Sequence, residues 1–212
     1  MDRHPFRAPL IALAIVGLTV ATIPAAITFS STFKSMDAGR VSFAGKKVAA
    51  VVMSADEGLR VAGEESLVRE LGKRTVQAVA SYRIVPKEEL RRPETARPWF
   101  EKANVDGLMI IRPLVNDTRQ TYTPAMWVSS NYGTPWNYYG YGWSAVLVGA
   151  SSQIETTVVV ETTVYSLPLN QLVWATVTET RNPKNLQAFI EELVKESVKA
   201  MQKQGLAKGQ PR

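Results

Sequence analysis

Side chains able to do acid–base, nucleophilic or metal chemistry are few in this chain, and the missing types decide more than the present ones. There is no cysteine. That excludes disulfides, thiolate nucleophiles and cysteine-ligated metal sites. The only histidine is His4, so a serine–histidine–aspartate triad or a multi-histidine metal site is not available to the folded part. Carboxylates remain. Asp106, Asp117, Glu155, Glu161 and Glu179 could in principle pair as general acid and base. Glu155 and Glu161 fall on the same side of a predicted strand, but six residues of strand separate them by about 20 Å. The sequence therefore reads them as a solvated sheet face. Asp106 precedes Gly107 in a predicted turn, where Asp bonds to backbone. Gly140-Tyr141-Gly142 hints at a phosphate loop, but it lacks the third glycine and the capped helix such a loop needs.

Aromatic stacking is the other chemistry on offer. No Asp, Glu, Lys or Arg occurs from Gln120 to Ile154, and this window holds Tyr122, Trp127, Tyr132, Trp136, Tyr138, Tyr139, Tyr141 and Trp143. Glycine and proline are dense here, which argues against regular helix or sheet. Rigid Tyr and Trp side chains supply large contact area at low entropic cost. The window is thus a lid packed on the domain, a flexible insertion, or a stacking surface for a glycan or protein partner. Single-stranded nucleic acid also stacks on aromatics but needs flanking cations, which the window lacks. No cofactor or metal is implied, and nucleic acid is not an expected partner.

These residues need a frame. Met1–Pro9 is short and basic, and Leu10–Ile27 is an apolar run of 18 residues. That pattern predicts a signal peptide, or an N-terminal membrane anchor with an apolar helix, over residues 1–30. The domain would then lie on the far side of the membrane from Arg3 and Arg7, in the periplasm of a bacterial envelope. Residues 31–45 read as a linker or irregular entry strand. Residues 46–206 read as one domain, and residues 207–212 as a disordered tail.

Within the domain, Val48–Met53 is a continuous apolar run suited to a strand buried on both faces. Ser54 and Glu57 have capping-box spacing for a following helix, with Leu59, Ala62, Leu67 and Leu71 on one face and Gly72 at its end. A second strand is predicted over Val76–Val85, then two short helical pieces, the second around Trp99 and Phe100, then a third strand over Leu108–Val115. After the aromatic window, which occupies residues 120–153, Ile154–Tyr165 alternates as a half-exposed antiparallel strand. Leu167–Gln171 turns it into a hairpin with Leu172–Arg181. Asn182-Pro183 reads as the start of a helix carrying Leu186, Phe189, Ile190, Leu193, Val194, Val198 and Met201 inward, closed by Gly205. The fold class is α/β (α+β): one three-layer domain on a mixed sheet of about five strands, β-α-β-α-β, then a long aromatic loop, a β-hairpin and a C-terminal helix.

Several short stretches occur in a recognisable order: Ser31-Thr32-Phe33-Lys34, Gly45-Lys46-Lys47-Val48, Val105-Asp106-Gly107, the Tyr/Gly/Trp-rich middle, Val164-Tyr165-Ser166, Leu172-Val173-Trp174 and Glu179-Thr180-Arg181-Asn182-Pro183. On these the chain resembles a group of small, largely uncharacterised bacterial envelope lipoproteins with an α/β domain, over roughly residues 31–206. The resemblance implies the α/β fold and says little about activity; the leader, the missing catalytic residue types and the aromatic window together point to an exported, non-enzymatic protein that binds an envelope protein or glycan. The lipobox cysteine of that group is absent here, so the resemblance implies no lipid anchor. Two other classes of function stay open: a carboxylate-dependent hydrolase of an envelope glycan or peptide, and a structural assembly module pairing through an edge strand.

Overall fold

The computed structural model describes residues 26–114, 124–148, 157–181, 183 and 185–207. The predicted leader up to residue 25, Asp117, Tyr122, Glu155, the Asn182 cap and the tail from residue 208 lie outside them. The described residues form a six-stranded mixed sheet between two layers of helix, with strand order β1-β6-β5-β4-β2-β3. The strands are β1 (Ile27–Lys34), β2 (Lys47–Val52), β3 (Gln77–Ala80), β4 (Gly107–Leu114), β5 (Thr157–Ser166) and β6 (Gln171–Arg181). The helices are α1 (Glu57–Gly72), α2 (Pro93–Lys102), α3 (Pro135–Val148) and α4 (Leu186–Lys203). Among the described residues, no helix is long and apolar enough to cross a membrane.

β2 is the apolar run Lys47–Val52, paired in parallel with β3 on one side and β4 on the other. Both of its faces are therefore covered. Val48, Ala50 and Val52 join Leu67 and Leu71 of α1 and Leu193, Val194, Val198 and Met201 of α4. Ala49, Val51 and Met53 join Phe100 of α2 and Tyr138, Tyr139 and Trp143 of α3. Burial at roughly 25 cal/mol per Å2 of apolar area on each side holds the three layers together.

Local signals place the helices with small corrections. The α1 cap is Asp56, whose Oδ1 accepts from Leu59 N at 2.9 Å. Ser54 instead accepts from Asp56 N and shapes the turn ahead of it. Gly63, which looks like a weakness in the helix, lets α1 lie close on the sheet: a Cβ there would stand 3.0 Å from Val52 Cγ2. α4 is capped by Asn185, which accepts from Ala188 N at 3.0 Å, so it starts later than the Asn182-Pro183 pair suggests. Gly205 follows it at φ +82°, a left-handed position where glycine costs least.

Two differences from the sequence reading are larger. Residues 27–34, read as the leader's end and then a linker or irregular entry strand, form a sixth strand at the sheet edge, antiparallel to β6. β5 is not half-exposed. Val159 to Ser166 are buried, because α4 covers one face and the aromatic segment the other. Thr162 bonds inside, its Oγ1 3.4 Å from Ser197 Oγ of α4.

The pairing also fixes which residues share an end of the sheet. Ile27 pairs with Thr180, Thr157 with Arg181, Leu114 with Val159, and Val52 with Ile111. The start of β1 therefore sits at the same end as the carboxyl ends of β2 and β4 and the first turns of α1 and α4. The β5–β6 turn, with Asn170 at φ +51°, lies at the opposite end.

Candidate functional site

The β4–β5 register sets Arg112 directly opposite Glu161 on the face that α3 covers. Both are buried. Arg112 Nη2 donates to Glu161 Oε2 at 2.7 Å, and Tyr138 Oη of α3 donates to the same oxygen at 2.7 Å. Trp127 Nε1, from the 3-10 turn Pro124–Val128, donates to Oε1 at 2.9 Å. Tyr165 Oη donates to the carbonyl of Tyr132 at 3.0 Å. Burial opposes the Arg112 charge, but the Tyr138 and Glu161 oxygens outweigh it and hold the guanidinium pKa above the ordinary arginine value. Burial first, and then the Glu161 charge, pushes the Tyr132 and Tyr138 hydroxyls well above the ordinary tyrosine value. Buried Tyr165 moves the same way. A buried ion pair is tolerated when good hydrogen bonds satisfy it. This one has them. Its work is to pin the aromatic segment to the sheet.

At the opposite end from Ile27 a cleft of about 500 Å3 opens beside the first turn of α3. Arg97 and Glu101 come from α2, Trp136 and Asn137 from α3, and Asn170 from the β5–β6 turn. Thr134 also lines it and caps α3, accepting from Asn137 N at 3.2 Å. Pro135 follows at the first helical position, where its missing N–H costs nothing. The Trp136 ring rests against Phe100 and Tyr139, each at 6.1 Å between centroids. The Arg97 guanidinium lies over it at 5.6 Å and donates to Glu101 Oε1 at 2.6 Å. A half-buried indole braced from behind, ringed by one cation, one carboxylate and two amides, can stack a ring and bond hydroxyl groups around it.

No family model matches the chain, and no curated protein matches it. Among solved structures it is similar to the PelC dodecamer from Paraburkholderia phytofirmans, at 11% identity and a TM-score of 0.43, over 84% of this chain and 97% of that one. A point variant of that dodecamer in another crystal form gives 10% identity and a TM-score of 0.42, over 82% and 96%. Likeness at this level bears on neither activity nor assembly.

The eight aromatics proposed as one stacking surface do not form one. Trp127, Tyr132, Tyr138, Tyr139 and Trp143 are buried core side chains, because α3 turns them onto the sheet. Trp136 is half-buried in the cleft, Tyr141 is 38% exposed, and Tyr122 lies outside the described residues. Gly140 and Gly142 belong to α3 and form no phosphate loop. A Cβ on Gly140 would press on Pro93, and one on Gly142 would overlap Met53 Sδ.

The acids are dispersed. Asp106 accepts from Lys47 N at 3.0 Å, a backbone bond to the start of β2 and not one within the predicted local turn. Glu179 is half-buried on β6. Glu161 is the reverse of a solvated acid. Among the described residues, no group of histidine, cysteine and acidic side chains could hold a metal ion.

Three buried charges, Arg60, Glu64 and Arg112, escaped the sequence reading. Glu64 of α1 accepts from Val52 N at 3.2 Å, Ser81 Oγ at 2.7 Å and Tyr82 N at 3.1 Å. It thereby satisfies the end of β2 where β3 has stopped. Burial raises its pKa above the ordinary glutamate value despite these bonds. Its signal was present: Arg60, Glu64, Leu67 and Leu71 lie at helical spacing and share the inward face. Arg112 stands in an otherwise apolar strand, which demands a buried partner.

Proposed function

We propose that the chain is a non-enzymatic domain of the bacterial envelope, exported or held at a membrane by its N-terminal apolar segment, that binds a cell-wall glycan in the cleft beside Trp136. The observation that carries this reading is the composition of that cleft. Among the described rings of the aromatic window, Trp136 is braced on buried neighbours and lines the cleft, whereas Tyr141, also exposed, is not part of its lining. A pyranose presents a C–H face to an indole and equatorial hydroxyls to groups around it. Arg97, Glu101, Asn137 and Asn170 supply donors and acceptors for those hydroxyls. The basic, then apolar, N-terminus supports the location.

Hydrolysis fits this cleft less well. A pair of catalytic carboxyls needs a second acid about 5–9.5 Å from the first, and Glu101 is the one acid of the lining. The test is a titration of the full chain with soluble cell-wall disaccharide–peptide fragments, followed by calorimetry. Saturable binding is expected, weakened roughly tenfold by Trp136→Ala and unchanged by Tyr141→Ala. No binding, or equal binding by the Trp136 variant, refutes the assignment.

A further inference from the structure

A second concavity, about 110 Å3, lies between the first turns of α1 and α4 where they diverge over the sheet. Val52, Pro113 and Val158 form its floor, and Leu59, Phe189 and Ile190 line its sides; Ser54 is the one polar side chain of the lining. Val52 ends β2, Pro113 is the next-to-last residue of β4 and Val158 the second of β5, so the groove belongs to the end of the sheet where β1 begins. Ile27, the first residue of β1, is also the last of the 18-residue apolar run. β1 is two strands from β5, and strands are spaced about 4.8 Å apart, so the apolar run enters the domain about 10 Å from the groove.

We propose that this groove takes the end of a membrane lipid's acyl chain. The inference rests on the membrane-proximal part of the reading above and is independent of the Trp136 cleft. If the apolar run lies in a bilayer, Ile27 brings this end of the sheet to the membrane surface and turns the Trp136 cleft away from it. The groove then meets lipid first, and its lining matches an alkyl chain and little else. Apolar cavities of about 150 Å3 hold a small hydrocarbon, so this smaller, open groove fits a chain terminus with the remainder of the chain outside. A lipid held there, together with the N-terminal segment, gives two points of contact and a fixed tilt of the domain on the membrane.

The experiment uses the full chain in phosphatidylethanolamine–phosphatidylglycerol vesicles containing a phospholipid with a photoreactive diazirine near the end of one acyl chain. Flotation reads membrane attachment, and mass spectrometry of the irradiated protein reads the groove. The expected result is co-flotation, with adducts on peptides holding Val158 and Ile190. Ile190→Trp, which fills the groove from its half-exposed rim, should lower those adducts about tenfold, the equivalent of two methylenes of lost burial, without changing flotation. Competition of wild type with dodecanoic acid gives the same readout should that variant fail to fold. Adducts confined to Leu10–Ile27, or groove adducts unchanged by both perturbations, overturn the lipid assignment alone. A co-purifying protein that blocks labelling overturns it in favour of a protein partner. Failure to float overturns the membrane-proximal reading as well.

Discussion

Replacing Glu161 with alanine leaves the Arg112 guanidinium buried without its anion. Trp127 Nε1 and Tyr138 Oη lose their acceptor at the same time. Removing one partner of a buried ion pair costs about 3–5 kcal/mol. Each orphaned buried donor adds about 1–3 kcal/mol where the site cannot relax, so the upper end of the ion-pair range is expected. A domain of this size has roughly 5–15 kcal/mol in total. Glu161→Ala should therefore remove a large share of the stability, and the loss should appear first as exposure of the aromatic segment. Removing both charges separates this account from simple loss of side-chain volume. Arg112→Met with Glu161→Leu keeps the space filled and leaves no unpaired ion, so the double variant should be more stable than Glu161→Ala by about 2 kcal/mol or more. Urea unfolding followed by tryptophan fluorescence, with full double-mutant cycles, measures both quantities. A loss under about 1 kcal/mol for Glu161→Ala, or a double variant costing the sum of the singles, would falsify the view that this pair pins the segment.

Three further outcomes follow from buried groups. Tyr132, Tyr138, Tyr139 and Tyr165 all have pKa values raised, with burial as the largest cause, so the folded chain holds these protons more tightly than the unfolded chain. Stability should fall as pH rises above about 10, by about 1.4 kcal/mol per pH unit for each. Absorbance at the tyrosinate band should therefore show these four only as the protein unfolds; titration of all the tyrosines before unfolding would contradict their burial. Glu64 also has a raised folded-state value, so its contribution is fully present below its ordinary value near 4.5 and lost as pH rises through the folded value. The stability of wild type relative to Glu64→Gln should accordingly decline from pH 4 toward neutrality, and a flat difference would count against it. Gly142→Ala should destabilise by about 1 kcal/mol, since overpacking against buried Met53 exceeds the gain in helix propensity. Gly72→Ala, with open space around it, is the comparison and should be neutral or stabilising in the same thermal melts.

The parts of the fold legible in the sequence are those where local pattern and tertiary environment agree. β2 and β4 read as continuous apolar runs because both faces are covered, and the β5–β6 hairpin reads from alternation and its turn. α4 reads from its apolar stripe. β1 was hidden because it is an edge strand, exposed at Thr28, Phe29, Ser30 and Thr32, with no clean alternation. The exposure of β5 was misread because threonine and glutamate are usual on a solvated face. Here Thr178 Oγ1 bonds the Val160 carbonyl and Glu161 bonds Arg112, so polarity reflects internal pairing. The Trp136 cleft draws residues from α2, α3 and the β5–β6 turn. Such a convergence is a product of topology, and no spacing along the chain announces it.

α3 shows why the aromatic window misled. Two glycines and a run of aromatic and β-branched residues make Pro135–Val148 a poor helix on intrinsic propensity, by roughly 0.5–1 kcal/mol at many positions relative to alanine. Against this, fully burying Tyr138, Tyr139 and Trp143 contributes roughly 1.5–3 kcal/mol each. The glycines that weaken the helix are the positions where it touches Pro93 and Met53, so they are a condition of that burial. The helix is thus stabilised by the sheet beneath it and not by its own sequence. The same geometry accounts for the absence of charge on its inner face. The segment is the roof over Arg112 and Glu161, two charges that already neutralise each other through neighbours α3 supplies. A further charge on its inner face would be buried with no partner, at several kcal/mol. Most of the described segment is the packed lid that the sequence allowed, lying over an ion pair, and Trp136, at the first turn of α3, is the ring of it that lines the polar cleft.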